Sequence, residues 1–425
     1  MNSEFDMTSS PDESTIATLR EIARRHGTPT YAFDVGRLRR QVAKLRRHLP
    51  TESEIFYSLK ANASLGICDV FAECGIGADV ASAGELATAI EAGFPPRKIF
   101  VAGPFKLPET ISQLHETPDA IVSVDSMSEL RMLTSAGLPN PFLLRLRPDF
   151  GSCAVVQAGS ESRFGFTCQD LDQCGQFIRT CNCNIVGFHV FAGSQVLDAH
   201  KVNDHLRQAM DLCERAAEVL GIEPTWINLG GGFGIPYGPG DQELALAQVG
   251  GELNQLAERV PSARLMLELG RYLVAEAGWY MTSVLGHQTL QGRPAVVVDG
   301  GVHQRADMCG LCLRSNQNAP IVINTTNHSN SPLNPTDVLG CLSLPDDVMI
   351  ESTPLPPLST GDVIAFGNAG AYGLWSSPVM FHGSPLPAEV AFEGEEVHVM
   401  RHRKPALTVL DDQLHVRQKQ ASAPQ

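Results

Sequence analysis

The chain has 425 residues, 43% of them hydrophobic, and a formal net charge of −15. That length supports a large core and more than one domain, and that charge excludes a surface built for nucleic acid or an anionic membrane. No apolar run approaches the ~18 residues of a membrane span, and Met1–Ser14 is polar and acidic without the core of a signal peptide. The expectation is a cytoplasmic protein that meets neither lipid nor nucleic acid. Eleven cysteines, an odd number at irregular spacing, fit reduced thiols rather than a disulfide framework. Cys309-Gly310-Leu311-Cys312 has the spacing of half a zinc site and Cys181-Asn182-Cys183 is similar, but no second CxxC or HxxxH answers them. No metal is expected.

In chain order, residues 1–14 and 413–425 read as disordered ends. A helix is predicted over Ile16–His26, stopped by Gly27, and Thr30–Phe33 reads as a short strand. Helix 35–48 carries the Arg37–Arg47 basic cluster opposite an apolar stripe of Leu38, Val42, Leu45 and Leu49, which predicts a solvated basic face. Strands and helices then alternate. A strand ending at Lys60 precedes helix 64–74, strand Gly77–Val80 precedes helix 83–93, and strand Ile99–Ala102 precedes helix 108–116. Strand Ala120–Val124, helix 126–136 and strand Phe142–Arg147 follow, then strand Asn184–Val190, helix 199–220, strand Trp226–Leu229, helix 241–260 and strand Arg264–Leu267. The later strands are continuous apolar runs, as a parallel sheet covered on both faces requires. About eight β/α units in that length fit a closed (β/α)8 barrel, with a doubly wound open sheet as the other architecture. After Gly270 short β-rich runs dominate, beginning with Leu273–Leu285, and predict an all-β unit, a sandwich or small barrel. Asn324–Pro335 reads as a long surface loop.

On a barrel the chemistry collects at the C-terminal ends of the strands. Lys60 follows the strand Glu54-Ile55-Phe56-Tyr57, where burial would lower its pKa and free its amine for Schiff-base chemistry. Asp79, with Ser82 and Glu85 beyond it, ends another strand. Arg145 and Arg147, His189 with Phe191-Ala192-Gly193-Ser194-Gln195, the turn Gly230-Gly231-Gly232-Phe233, and Glu268 with Arg271 end others. Taken singly, His189 reads as a structural histidine, Cys341 as a small buried hydrophobe and the glycines as a mobile loop. Together they supply an amine, a flat ring, a carboxylate and backbone N–H groups for an anion. A pyridoxal phosphate (PLP) site needs those parts.

These motifs resemble those of the fold-type III PLP-dependent decarboxylases, the group of diaminopimelate, ornithine and arginine decarboxylases, over roughly residues 28–402. The resemblance implies an alanine-racemase-like (β/α)8 barrel over 35–272. A β-sandwich or Greek-key domain would follow, built from 15–34 and 273–412. It implies Lys60 as the residue that carries PLP, Asp79 and Arg145 near it, and His189 stacked on the ring. Ser194, Gly230, Gly231, Gly232 and Tyr372 would lie at the phosphate, Arg271 at the phosphate or the substrate, and Glu268 at the pyridine nitrogen. Cys341 would be a catalytic acid delivered from the partner of a homodimer. The reaction implied is loss of an amino acid's α-carboxylate as CO2. The substrate is either a free diamino acid such as diaminopimelate or ornithine, or a carrier-bound amino acid of secondary metabolism. Two positions depart from the family's pattern: Leu269 replaces a proline, and Pro345 stands four after Cys341 where an acid is usual. A racemase on the same fold, a PLP-carrying regulator without activity, and a phosphate-binding barrel enzyme without PLP are the competing readings.

Overall fold

The computed structural model describes residues 11–150, 156–157, 162–181, 183–238, 240–290, 292–305, 307, 319–323 and 332–416. Eight of its strands are parallel neighbours: β1 (Glu54–Ser58), β2 (Gly77–Val80), β3 (Ile99–Val101), β4 (Ile121–Val124), β5 (Phe142–Leu146), β6 (Ile185–Val190), β7 (Trp226–Gly231) and β8 (Arg264–Leu269). β8 pairs back onto β1, so the sheet closes and the open-sheet alternative falls away. Successive side chains on a strand face opposite ways. Phe56, Phe100, Ile121, Leu143 and Met266 therefore meet inside the barrel as an apolar cluster of their own, each contributing about 1.5–3 kcal/mol by burial. Two residues further along the same strands stand Ser58, Ser123, Arg145 and Glu268. One pleat period thus sets a polar layer on an apolar plug.

The helices between strands start where a short polar side chain can accept a first-turn N–H. Asp34 accepts from Arg37, Ser82 from Glu85, Ser126 from Glu129 and Asp198 from His200. The basic face of helix Val35–His48 is partly neutralised: Arg39 pairs with Glu73 and Glu393, and Lys44 with Glu243 at 2.8 Å.

A second, mixed sheet hangs on the long strand Gly278–Leu290. Its first half pairs with Thr30–Asp34 on one edge and with Val363–Phe366 on the other. After a register shift between Val284 and Gly286 it pairs instead with Arg293–Val298, which continues to Asn334–Leu339 and Val348–Leu355. Thr30–Asp34 leads on to Ala388–Glu393 and Glu396–Arg401. The helix Glu13–His26 presses Leu19 and Ile22 onto this sheet against Trp279, Met281 and Val390.

Several boundaries differ from the sequence reading. The first helix begins at Glu13, capped by Asp12, inside the stretch expected to be frayed. Leu171–Ile178 forms an unpredicted helix, short and interrupted by Gly175. The helix expected from 241 starts at Leu246, because Asp241 instead closes a turn by accepting from the Tyr237 and Gly238 N–H groups. Leu273–Ala277, the start of the run read as a strand, belongs to the helical turns Arg271–Val274 and Ala275–Ala277. Asn334 opens a strand, not a loop end. The Cys309–Cys312 pair and residues 324–331 lie outside the described residues.

Candidate active site

Beyond its polar layer the barrel opens into a cavity of about 260 Å³ lined by Lys60, Ser194, Gly232, Glu268, Arg271 and Tyr372 among others. Lys60 sits on the helical turn Leu59–Ala61 that follows β1, and its ammonium lies 5.2 Å from the centre of the Phe191 ring. The sequence reading expected burial to lower its pKa, and the structure reverses that. Burial does press it down, but Asp79, Tyr372 and Glu268 act together the other way and the net shift is upward. Asp79, in register with Ser58 one strand away, is itself pushed up, first by burial and then by Glu268. Both shifts run upward, so each group favours its protonated form beside the other.

Glu268 is buried, and Asn228 donates to its Oε1 at 2.6 Å. Burial opposes its charge, yet His189, Lys60 and Arg145 outweigh burial and hold it ionised. His189 Nε2 lies 3.1 Å from the same oxygen, and Nδ1 lies 2.9 Å from Ser123 Oγ. Burial lowers the His189 pKa, so the imidazole is neutral at neutral pH. Phe100 packs edge-on to it at 5.3 Å. Arg145, beside His189 in register, pairs with Asp125 at 3.2 Å.

The glycine turn at the end of β7 is fixed by Asn228 as well, whose Oδ1 accepts from the Gly230 N–H. Gly232 has φ +89°, and a Cβ there would stand 2.3 Å from the Gly193 carbonyl oxygen. Glycine is required on both counts. Gly232→Ala should cost about 1–3 kcal/mol and weaken binding of an anion at the turn by roughly 10–100-fold. Thermal melting and a ligand titration would measure the two effects, and an unchanged affinity would remove the turn from the site. Across the cavity Arg271 is buried. Its Nη1 donates to Tyr237 Oη at 2.7 Å, and its guanidinium lies 4.7 Å from the centre of the Tyr372 ring. Tyr372 has φ +54°, rare for an aromatic residue. Its N–H donates to the Ala61 carbonyl, and Asn62 donates to the Gly370 carbonyl at 3.0 Å, so the loop carrying Tyr372 is stitched to the segment carrying Lys60.

Of the proposed residues, Lys60, Ser194, Gly232, Glu268, Arg271 and Tyr372 line the cavity, and Asp79, Arg145, His189, Gly230 and Gly231 stand on the strand ends beneath or beside it. Cys341 is exposed, lies on a turn whose N–H reaches the Gly300 carbonyl, and does not line the cavity. Ser82 and Glu85 serve the helix rather than the cavity, Ser82 as its cap and Glu85 by accepting from the Ala81 N–H. The sequence reading missed Asn228, Asn62, Ser123 and Tyr237. Asn228 had a signal, a polar residue inside the apolar run Trp226–Leu229. Tyr237 had none.

The resemblance implies PLP, and the buried polar groups test the fit. Arg271 Nε and Nη2 are buried without a partner among the described residues, beside backbone that only glycine can form. Paired donors of that kind suit a phosphate, and the residues present fit the group. Comparison with known proteins agrees. A family model described as pyridoxal-dependent decarboxylase, pyridoxal binding domain, matches residues 35–275. The chain is 30% identical over 412 residues to the L-glutamyl-[BtrI acyl-carrier protein] decarboxylase of Niallia circulans, spanning 94% of this chain and 96% of that protein. It is 30% identical over 403 residues to the diaminopimelate decarboxylase of Methanothermobacter thermautotrophicus, covering 90% and 91%. The crystal structure of the Helicobacter pylori diaminopimelate decarboxylase with L-lysine shares the fold, with a TM-score of 0.83 over 95% of this chain and 100% of that one at 24% identity.

Proposed function

The chain belongs to the family of pyridoxal-dependent amino-acid decarboxylases, and we propose that Lys60 is the amine that carries the cofactor while Cys341 of a second copy returns the proton after CO2 leaves. The observation that carries this reading is one cavity faced by Lys60, the ionised Glu268 and the unpartnered nitrogens of Arg271. PLP, when bound, supplies the sink for the electron pair left at Cα. Arg271 Nε and Nη2 and the backbone of the turn at Gly232 would hold the phosphate, while the Gly230 N–H is taken by Asn228. Glu268 keeps a proton on the pyridine nitrogen, since an ionised carboxylate favours the charged partner. His189, neutral and braced by Phe100, offers a flat face that fixes orientation. Asp79 takes up or gives back the Lys60 proton as that amine is engaged and released.

Burial, and then Asp347, raise the Cys341 thiol pKa. The thiol therefore stays protonated at neutral pH, as a proton donor must. Its exposure outside the cavity lining of its own chain supports a homodimer in which each copy completes the other's site. For the substrate, Glu268 is the one carboxylate lining the cavity among the described residues, and Asn228 already occupies it. Among the described residues no second carboxylate lines this cavity. Similarity to a decarboxylase that acts on a glutamyl group held by a carrier protein supports an amino acid whose far end is uncharged, as on a carrier, over a free diamino acid.

The test is CO2 release from a panel of meso-diaminopimelate, ornithine, lysine, arginine, glutamate and a glutamyl-pantetheine thioester. Turnover of the thioester alone supports the carrier reading. Turnover of a free diamino acid refutes that reading but keeps the decarboxylase, and racemisation without CO2 would overturn both.

A further inference from the structure

Lys106 has no part in the chemistry above, yet its side chain is sealed inside the protein with Glu129, at 1% and 0% exposure. It lies in the loop after β3. Its ammonium donates to the Ser123 carbonyl on β4 and stands 3.3 Å from Glu129 Oε1. Glu129, in the first turn of helix Met127–Ser135, also accepts the Lys106 N–H at 3.0 Å and the Asp125 N–H at 2.7 Å. The pair therefore ties two strand ends and a helix start together. Burial works against the Lys106 charge and Glu129 works to restore it. A buried ion pair of this kind adds little net stability, because desolvation cancels most of the attraction. Its consequence lies in what it holds.

What it holds is Ser123, whose hydroxyl is 2.9 Å from His189 Nδ1. The other ring nitrogen, Nε2, stands 3.1 Å from Glu268 Oε1. Nε2 makes no aligned hydrogen bond among the described residues, so the contact with Ser123 Oγ is the hydrogen bond that fixes the ring. The imidazole's tilt thus depends on where Ser123 sits.

We propose that Lys106 is a positioning residue: by fixing the Ser123 carbonyl, the Lys106–Glu129 pair sets the tilt of His189 beneath the cofactor. The proposal rests on the reading of His189 as the residue that faces the cofactor ring. The competing account is that the pair only seals this end of the barrel. Under that account its removal would change stability and nothing else.

Three variants of the full-length protein separate the two: the paired change Lys106→Met/Glu129→Gln, Ser123→Ala, and all three together. The first removes both charges at nearly constant volume, and the second removes only a hydroxyl. Each is read by thermal melting, by titration of the apoprotein with PLP, and by visible circular dichroism of the bound cofactor, which follows its tilt. The paired variant should melt close to wild type, bind PLP about tenfold more weakly and show altered dichroism. Ser123→Ala should do the same. The triple variant should lose no more than either, since losses along one route do not multiply. Wild-type affinity and dichroism in the paired variant, or a triple loss equal to the product of the two, would overturn the proposal. Either result would leave decarboxylation itself untouched, so it counts against this inference alone. If the paired variant does not fold, Lys106→Arg takes its place under the same rule, because it keeps the charge but not the ammonium's seat on the Ser123 carbonyl.

Discussion

Lys60→Ala yields a folded protein with no turnover and no covalently held visible chromophore. PLP added to it washes out on dialysis. Loss of at least about 10⁴-fold in rate is expected, because one change removes both the covalent attachment point and a proton-transferring group. The fold should survive. Lys60 stands on a helical turn beyond the strand, the barrel core does not include it, and its removal leaves Asp79 with less to oppose protonation. Asp79 then becomes neutral instead of standing as a buried unpaired charge. Absorption before and after dialysis, with thermal melting alongside, checks the result. A Lys60→Ala protein that retains the chromophore would place the attachment elsewhere.

Cys341→Ala should lower turnover by roughly 10²–10⁴-fold while leaving cofactor binding intact, as loss of a positioned acid does. The informative experiment mixes it with Lys60→Ala. If each site takes its thiol from the other copy, two inactive proteins mixed by reversible unfolding regain activity. Half the dimers are hybrids with one complete site, so the recovered rate approaches about a quarter of wild type. If Cys341 served its own chain, every hybrid would remain dead. The structure motivates the first outcome, since Cys341 is exposed and does not line the cavity of its own chain.

How far the sequence reached follows from where the physics is local. The barrel strands were legible because each is a continuous apolar run, and the site because polar residues stand at the ends of those runs. Asp79, Arg145, His189 and Glu268 all do so. Leu273–Ala277 was misread because Leu273 and Val274 look like a strand, whereas the observed helical turns leave Arg271 stacked between Tyr237 and Tyr372. The pKa of Lys60 was misjudged for a related reason. Burial can be guessed from the strand that precedes it, but Asp79, Glu268 and Tyr372 come from far along the chain, and together they reverse the sign. Ser123 and Lys106 carry no local mark at all. Their partners, His189 and Glu129, are brought to them only by closure of the barrel.

The strand Thr30–Asp34 lies between Gly278–Leu290 and Ala388–Glu393 in the second sheet. A ribosome makes Ala388 roughly 350 residues after Thr30. At ~5–20 residues per second this strand waits roughly 20–70 s for its second neighbour. Over the same interval Leu19 and Ile22 have no Val390 to pack against. The barrel, complete at Leu269, can close while the start of the chain is still unplaced. That segment, made before the barrel, then settles after it, and a message cut short before the codon for Ala388 would release a closed barrel whose strand Thr30–Asp34 has Gly278–Leu290 on one side and an open edge on the other.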